Sequence, residues 1–322
     1  MRTRLTEILG IEHPVMLAGM GGVSYHRLVA AVSEAGGFGC LGASTMSSDA
    51  MVEEIAAVRA LTARPFGVDL LTAMPGDLAA QVELVIEGGA SVFVAGLGVP
   101  VEVVEQCHRH GVLVVNMCGK VDHARRAVDA GCDIVVAQGT EAGGHTGQVA
   151  TMPLVPQVVD AVGDRVPVVA AGGIFDGRGM AAALALGADG VWVGTRFIAT
   201  PEARSVAGYK EALLRTAEDG TTVSRAYSGK TMRVVANDYT AHFAEHPGEL
   251  ERFPAQLGRS IDDGAFHLGG DDTTAGVDPA RECYPSGQGV GAIDALVPAA
   301  ELVRRFVAEA DEALGRARAL TA

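Results

Sequence analysis

Eight short apolar runs at near-regular spacing, helical patterns between them and a marked excess of glycine predict an α/β protein. The expected architecture is a (β/α)8 TIM barrel with a smaller subdomain inserted after strand 8. The runs lie at Pro14–Ala18, Phe38–Leu41, Phe66–Leu70, Ser91–Ala95, Val112–Asn116, Asp133–Ala137, Val166–Ala171 and Gly190–Val193. Most are nearly continuous in apolar and β-branched residues, the pattern of parallel strands buried on both faces. Their starts fall 24, 28, 25, 21, 21, 33 and 24 residues apart, and each interval has room for a loop and a helix. Periodicity alone does not show closure, so a doubly wound open sheet is the alternative.

The intervals read as helices where they are long enough to show a face. His26–Ala35 puts Leu28, Val29 and Val32 together before Gly36-Gly37. Asp122–Ala130 opens on an Asp in N-cap position and stops at Gly131, and Asp176–Leu186 runs into Gly187 in the same way. The rhythm stops after Thr200. Residues 204–290 are more polar, and Asp262–Gly276 reads as a surface loop. Helical spacing returns at Pro298–Arg318, expected to be the last barrel helix. The expected division is therefore a barrel of residues 1–203 and 291–322, with 204–290 covering its mouth.

Composition removes several function classes. Hydrophobic residues make up 48% of the 322-residue chain, enough to build a core and too many for intrinsic disorder. The net charge of −14, with no Lys/Arg run beyond two, argues against nucleic acid as a partner. Five scattered cysteines without a C-x-x-C pair fit buried thiols in a reducing compartment and no zinc ribbon. No apolar stretch approaches the ~18 residues of a membrane helix. A soluble cytoplasmic protein without a metal site is expected.

Glycine placement points to a ligand. The 42 glycines are about twice the usual share of ~7%. Strand seven ends in Gly172-Gly173 and strand eight in Gly194-Thr195, where barrels of this type commonly bind phosphate through backbone N–H groups and a helix N-terminus. The longest interval follows strand six and contains Gln138-Gly139-Thr140-Glu141-Ala142-Gly143-Gly144-His145-Thr146-Gly147. A histidine among glycines at the catalytic face is a candidate acid or base. Gly177-Arg178-Gly179 imitates a dinucleotide fingerprint but lacks the acidic residue about 20 positions on, so it reads as a chance match. His108 and His110 sit near a helix end away from the catalytic face and read as solvated, whereas His242, His246 and His267 fall within 204–290 and could reach the mouth, with nothing in the sequence that fixes their geometry. Hydrolase elbows and zinc-protease motifs are missing from the sequence.

With these residues in place the chain resembles the nitronate monooxygenase (2-nitropropane dioxygenase-like) family of FMN-dependent barrels, related to the flavin-dependent enoyl-acyl carrier protein reductases. The resemblance spans nearly the whole chain. It rests on Pro14 through Gly22, Pro65 through Leu70, Gln138 through Gly147, Ala170 through Ile174, Gly194-Thr195-Arg196-Phe197 and Ser286 through Gly291. It implies FMN with its phosphate on Gly172, Gly173, Gly194 and Thr195. It places the flavin ring beside Gly19, Met20 and Gly21, with Gln138, Gly143 and Gly144 lining the pocket. His145 matches the catalytic histidine. Asp69 stands where relatives usually carry Asn, so a carboxylate there must be paired or protonated. Thr146 replaces a proline found in some monooxygenases.

Three functions follow as expectations. The first is oxidation of alkyl nitronates with O2, His145 acting as general base or anion partner. The second is an NAD(P)H-dependent flavin reductase of enoyl thioesters or quinones. The third is a flavin-binding barrel without catalysis. The partner is a small molecule in the first two, and the final helix could join a homodimer.

Overall fold

The structure is a computed structural model that describes residues 1–72, 76–96, 98 and 100–320; residues 73–75, 97, 99 and 321–322 are outside the description. The eight expected strands are all present: β1 (Val15–Leu17), β2 (Gly39–Gly42), β3 (Phe66–Leu71), β4 (Val92–Gly96), β5 (Leu113–Cys118), β6 (Ile134–Gln138), β8 (Val168–Ala171) and β9 (Gly190–Val193), with the short β7 (Gly144–His145) between β6 and β8. The parallel order is β1-β9-β8-β6-β5-β4-β3-β2. Leu17 N–H donates to Phe38 O and Phe38 N–H to Val15 O, joining β1 to β2 and closing the ring. This settles the choice in favour of the barrel over the open sheet.

Alternation along the strands divides the core into two layers. Met16, Cys40, Val94, Val115, Val136, Val169, Ala171 and Trp192 fill the barrel interior. Their neighbours Leu17, Leu41, Phe93, Val114, Val135, Ala170 and Val193 pack outward against the helices. A helix ahead of the first strand escaped the sequence reading. Arg4–Leu9 is capped by Thr3 and inserts Leu5 and Leu9 into the interior cluster. Arg4 pairs with Asp189 (2.8 Å), which fastens this plug beside the start of β9. With six residues it is too short to show a periodic face.

The expected helices form at His26–Glu34, Val121–Asp129, Gly177–Ala185 and Ala299–Ala319. The N-cap at the second is a correction: Lys120 occupies that position with no side-chain cap, and Asp122 lies inside the first turn, ion-paired to Arg126. Asp176 does cap its helix, accepting from Gly179 N–H at 3.0 Å. A Cβ at Gly177 would lie 2.3 Å from Phe306 O, so this glycine serves contact with the last helix. The G-x-G imitation thus has a packing cause.

Residues 204–290 contain two strands that the sequence did not reveal, β10 (Thr221–Ser224) and β11 (Met232–Val235). They are antiparallel, and β11 also pairs with β7 from the loop after β6. Tyr227, Met232, Val234, Tyr239, Phe243, Ala265 and Cys283 form a separate small core beneath them. The expected surface loop at Asp262–Gly276 is also corrected. Ala265 is fully buried, and Phe266 through Gly270 line a cavity, because the loop folds back toward the barrel mouth.

Candidate active site

A cavity of about 930 Å³ opens at the C-terminal ends of the strands. That is large enough for a cofactor and part of a substrate, since ligand pockets commonly span roughly 300–1,000 Å³. Gly19, Met20, Gly21, Asp69, Gln138, Gly143, Gly144, His145, Gly172, Gly173, Gly194 and Thr195 all line it. The topology brings together, from six separate stretches of chain, the residues singled out in the sequence.

The glycines here have distinct causes. Gly172 and Gly173 have φ of +104° and +69°, a left-handed backbone that favours glycine. A Cβ at Gly172 would also meet Thr151 Oγ1 at 2.7 Å, and one at Gly143 would meet Gly287 N at 2.8 Å. Gly144, at φ +72°, faces open space. Gly19 is different again: its Cβ would lie 2.5 Å from Asp69 Oδ2, so bare backbone at β1 is what leaves room for the β3 carboxyl.

The loop carrying His145 is fixed at several points. Gln138 Nε2 donates to His145 O (2.7 Å), and Thr146 Oγ1 donates to Gly139 O (3.1 Å). Glu141 accepts from the Thr151 N–H and hydroxyl at the start of the next helix. Arg233 on β11 donates to Thr140 O (2.9 Å). Through the β7–β11 pairing His145 stands opposite Met232. Ser228, Met232 and Arg233 therefore position the histidine, a role invisible in the sequence because the two segments are more than 80 residues apart.

His145 Nε2 lies 2.9 Å from Ser228 Oγ. Burial first, and the Lys230 charge second, hold its pKa below the ordinary 6.5. A neutral imidazole at neutral pH is the form that can accept a proton. Asp69 is 9% exposed, and its carboxyl has no hydrogen bond or ion pair with another described residue. Burial pushes it up to about 8, so it is protonated at neutral pH and does not repel an anion. Thr195 Oγ1 accepts from Gly287 N–H (3.0 Å). Arg196 points both terminal nitrogens at Ala295 O (3.2 and 3.1 Å), which makes it a structural residue.

Three polar residues of this cavity, Ser228, Thr45 and Asn116, were not singled out in the sequence, and His267 was named there without a partner. Ser228 gives no motif, Thr45 and Asn116 are single polar residues near strand ends, and the ring of His267 is held by Glu282, 15 residues away (Nδ1 to Oε2, 2.6 Å). All five cysteines are free and buried. No helix among the described residues is long and apolar enough to cross a membrane.

Comparison with known proteins agrees with this geometry. The nitronate monooxygenase family profile matches residues 2–81 and 75–309. FabK from Thermotoga maritima is 34% identical with a TM-score of 0.89, covering 99% of each chain. A nitroalkane oxidase from Streptomyces ansochromogenes is 31% identical with a TM-score of 0.83, over 97% of this chain and 99% of its own. A Mycobacterium tuberculosis protein named (3aS,4S,5R,7aS)-5-hydroxy-7a-methyl-1-oxo-octahydro-1H-indene-4-carboxyl-CoA dehydrogenase is 43% identical over 74% of this chain and 67% of its own. Barrel, cavity and kinship define a flavin-dependent oxidoreductase. Within that class, the chain belongs to the nitronate monooxygenase family.

Proposed function

We propose that this enzyme holds FMN in the barrel mouth and uses it to oxidise alkyl nitronates with O2. In this reading Gly172, Gly173, Gly194 and Thr195 hold the phosphate through backbone N–H groups and one hydroxyl. Gly19, Met20 and Gly21 lie along the flavin ring, while Asp69, Gln138, Gly143 and Gly144 complete the pocket. Residues 204–290 act as a cover over the barrel formed by 1–203 and 291–322, in the cytoplasm. The fit is supported by the uncrowded backbone at Gly144, by a buried Thr45 Oγ1 without a partner, and by an Asp69 carboxyl kept neutral.

FMN, when bound, supplies the electron acceptance and O2 reactivity that no side chain provides. The chain supplies proton handling and orientation. Neutral His145 takes the α-proton of a nitroalkane, and the resulting imidazolium then faces an anionic nitro group. Ser228 holds the ring through Nε2, and the β7–β11 pairing holds its backbone. The observation carrying this reading is a half-buried histidine, kept neutral, in the same cavity as the glycine cradle.

A second reading is favoured by the cavity's volume and by the relative named as a CoA-ester dehydrogenase. Here NAD(P)H and an unsaturated thioester are the substrates, with His145 delivering the proton to the α-carbon. Anaerobic stopped-flow absorbance of the yellow protein separates the two. Nitronate is expected to bleach the flavin within the instrument's range. A flavin left oxidised by nitronate, but bleached by NADH or NADPH and reoxidised by an enoyl thioester, would move the function to the second reading.

A further inference from the structure

The turn that supports the His145 ring also brings a charge to the cavity. Ser228 Oγ, 2.9 Å from His145 Nε2, accepts from the Lys230 N–H (3.3 Å), so the hydroxyl and the lysine are held together across Gly229. Gly229 has φ +75°, and a Cβ there would lie 2.6 Å from Phe253 N. The same close approach sets the lysine on an aromatic face: Lys230 Nζ stands 4.1 Å from the centre of the Phe253 ring. Such a face holds an ammonium in place without neutralising it or occupying its N–H donors with an acceptor oxygen.

The charge has no anionic partner. Lys230 Nζ makes no hydrogen bond or ion pair with a described residue. It is not sealed in either, since the unpartnered side-chain atoms closed off from solvent among the described residues are His13 Nδ1, Thr45 Oγ1 and Ser286 Oγ. Lys230 and Phe253 both line the cavity, and after burial it is the Lys230 charge that lowers the His145 pKa. The other Lys and Arg side chains on the wall are occupied, Arg126 by Asp122 and Arg196 by Ala295 O. The acids on the wall offer nothing in return: Glu282 is taken by His267, and Asp69 is protonated at neutral pH. A half-buried cation that its own chain leaves without an anion is a place for an anionic ligand.

We infer that Lys230 is a substrate-binding residue that takes the oxyanion conjugated to the carbon on which His145 acts. When the α C–H bond of a nitroalkane breaks, the proton goes to the imidazole and the electron pair moves onto the nitro oxygens. The enolate of a thioester carries the same charge on its carbonyl oxygen. The three N–H donors of an ammonium match either acceptor. Their attraction is strongest once the charge has developed, which is where it lowers the barrier. The inference rests on the proposed reading only in taking this cavity as the substrate site and His145 as the proton carrier.

The test is calorimetric titration of propanoate, an unreactive planar oxyanion, and of its neutral analogue propanamide into the FMN-loaded enzyme. Wild type is expected to bind propanoate about tenfold or more tightly than propanamide, the worth of one hydrogen bond to a charged group. Lys230→Met keeps an unbranched stem against Phe253 and removes the charge, so it should lose that preference with FMN content retained. Lys230→Arg should restore most of it, and Lys230→Gln replaces the methionine variant if that one does not fold. With the charge gone burial alone lowers the His145 pKa, so the acid limb of kcat/KM for a nitroalkane should also move up toward pH 6.5. A wild type that binds the two ligands alike, or a folded uncharged variant that keeps the preference, would overturn the inference. Nitronate that leaves the wild-type flavin oxidised, while Lys230→Met still loses propanoate, would sink the nitronate reading and leave this one standing.

Discussion

Replacing His145 with alanine is expected to lower kcat/KM for a neutral nitroalkane by about a hundred- to ten-thousandfold, the usual worth of a positioned acid–base group. The flavin should remain bound, because the imidazole is not part of the glycine cradle. A preformed nitronate should lose less, since its proton is already gone, and the ratio between the two substrates isolates proton abstraction from binding. The pH profile carries the same information. Burial and Lys230 lower the His145 pKa, so the acid limb of kcat/KM should lie below pH 6.5 and disappear in the alanine variant. Activity is lost as pH falls through that value, because the protonated ring cannot act as a base. Wild-type turnover of nitroalkane by the alanine variant, with native flavin content, would remove His145 from the chemistry.

Asp69→Asn is expected to stabilise the protein at alkaline pH. The folded carboxyl titrates at about 8 against an ordinary value of 3.8, and burial is the cause. Between those values the folded chain holds a proton that the unfolded chain has released. Stability therefore falls as pH rises, by about 1.4 kcal/mol per unit, and the loss stops above pH 8 where both states are ionised. Across the window the cost is of the order of 5 kcal/mol. The asparagine variant is free of it, so its advantage over wild type should be several kcal/mol at pH 8 and should shrink toward zero near pH 4. Denaturant midpoints across that range, with and without FMN, give the comparison. A difference that does not vary with pH would mean that the carboxyl does not titrate there.

Much of the barrel was legible because buried parallel strands are short, continuous and apolar, and glycine stops such as Gly131 and Gly187 punctuate them. Closure was not legible, since it depends on two hydrogen bonds between Phe38 and β1. Gly172, Gly173, Gly194 and His145 were visible through strand-end position, loop length and composition, while Gly19, Gly21 and Gln138 entered through the family resemblance. The supports of His145 were not: Ser228, Met232 and Arg233 come from a hairpin whose strands are four residues each. The same limit hid the Glu282–His267 pair, a contact between two loops with no periodicity. Gly19 was read as making room for a ligand, while the structure adds a nearer cause in the Asp69 side chain.

The site stands or falls most directly on a titration of FMN into the apoprotein, followed through Trp192, the single tryptophan and a wall of the cavity. One FMN per chain should quench its fluorescence to saturation. Riboflavin, which lacks the phosphate, should bind about tenfold or more weakly, because the N–H contacts at Gly172, Gly173 and Gly194 have no anion to take. Unquenched fluorescence, or riboflavin binding as tightly as FMN, would contradict a flavin phosphate held at that end of the barrel.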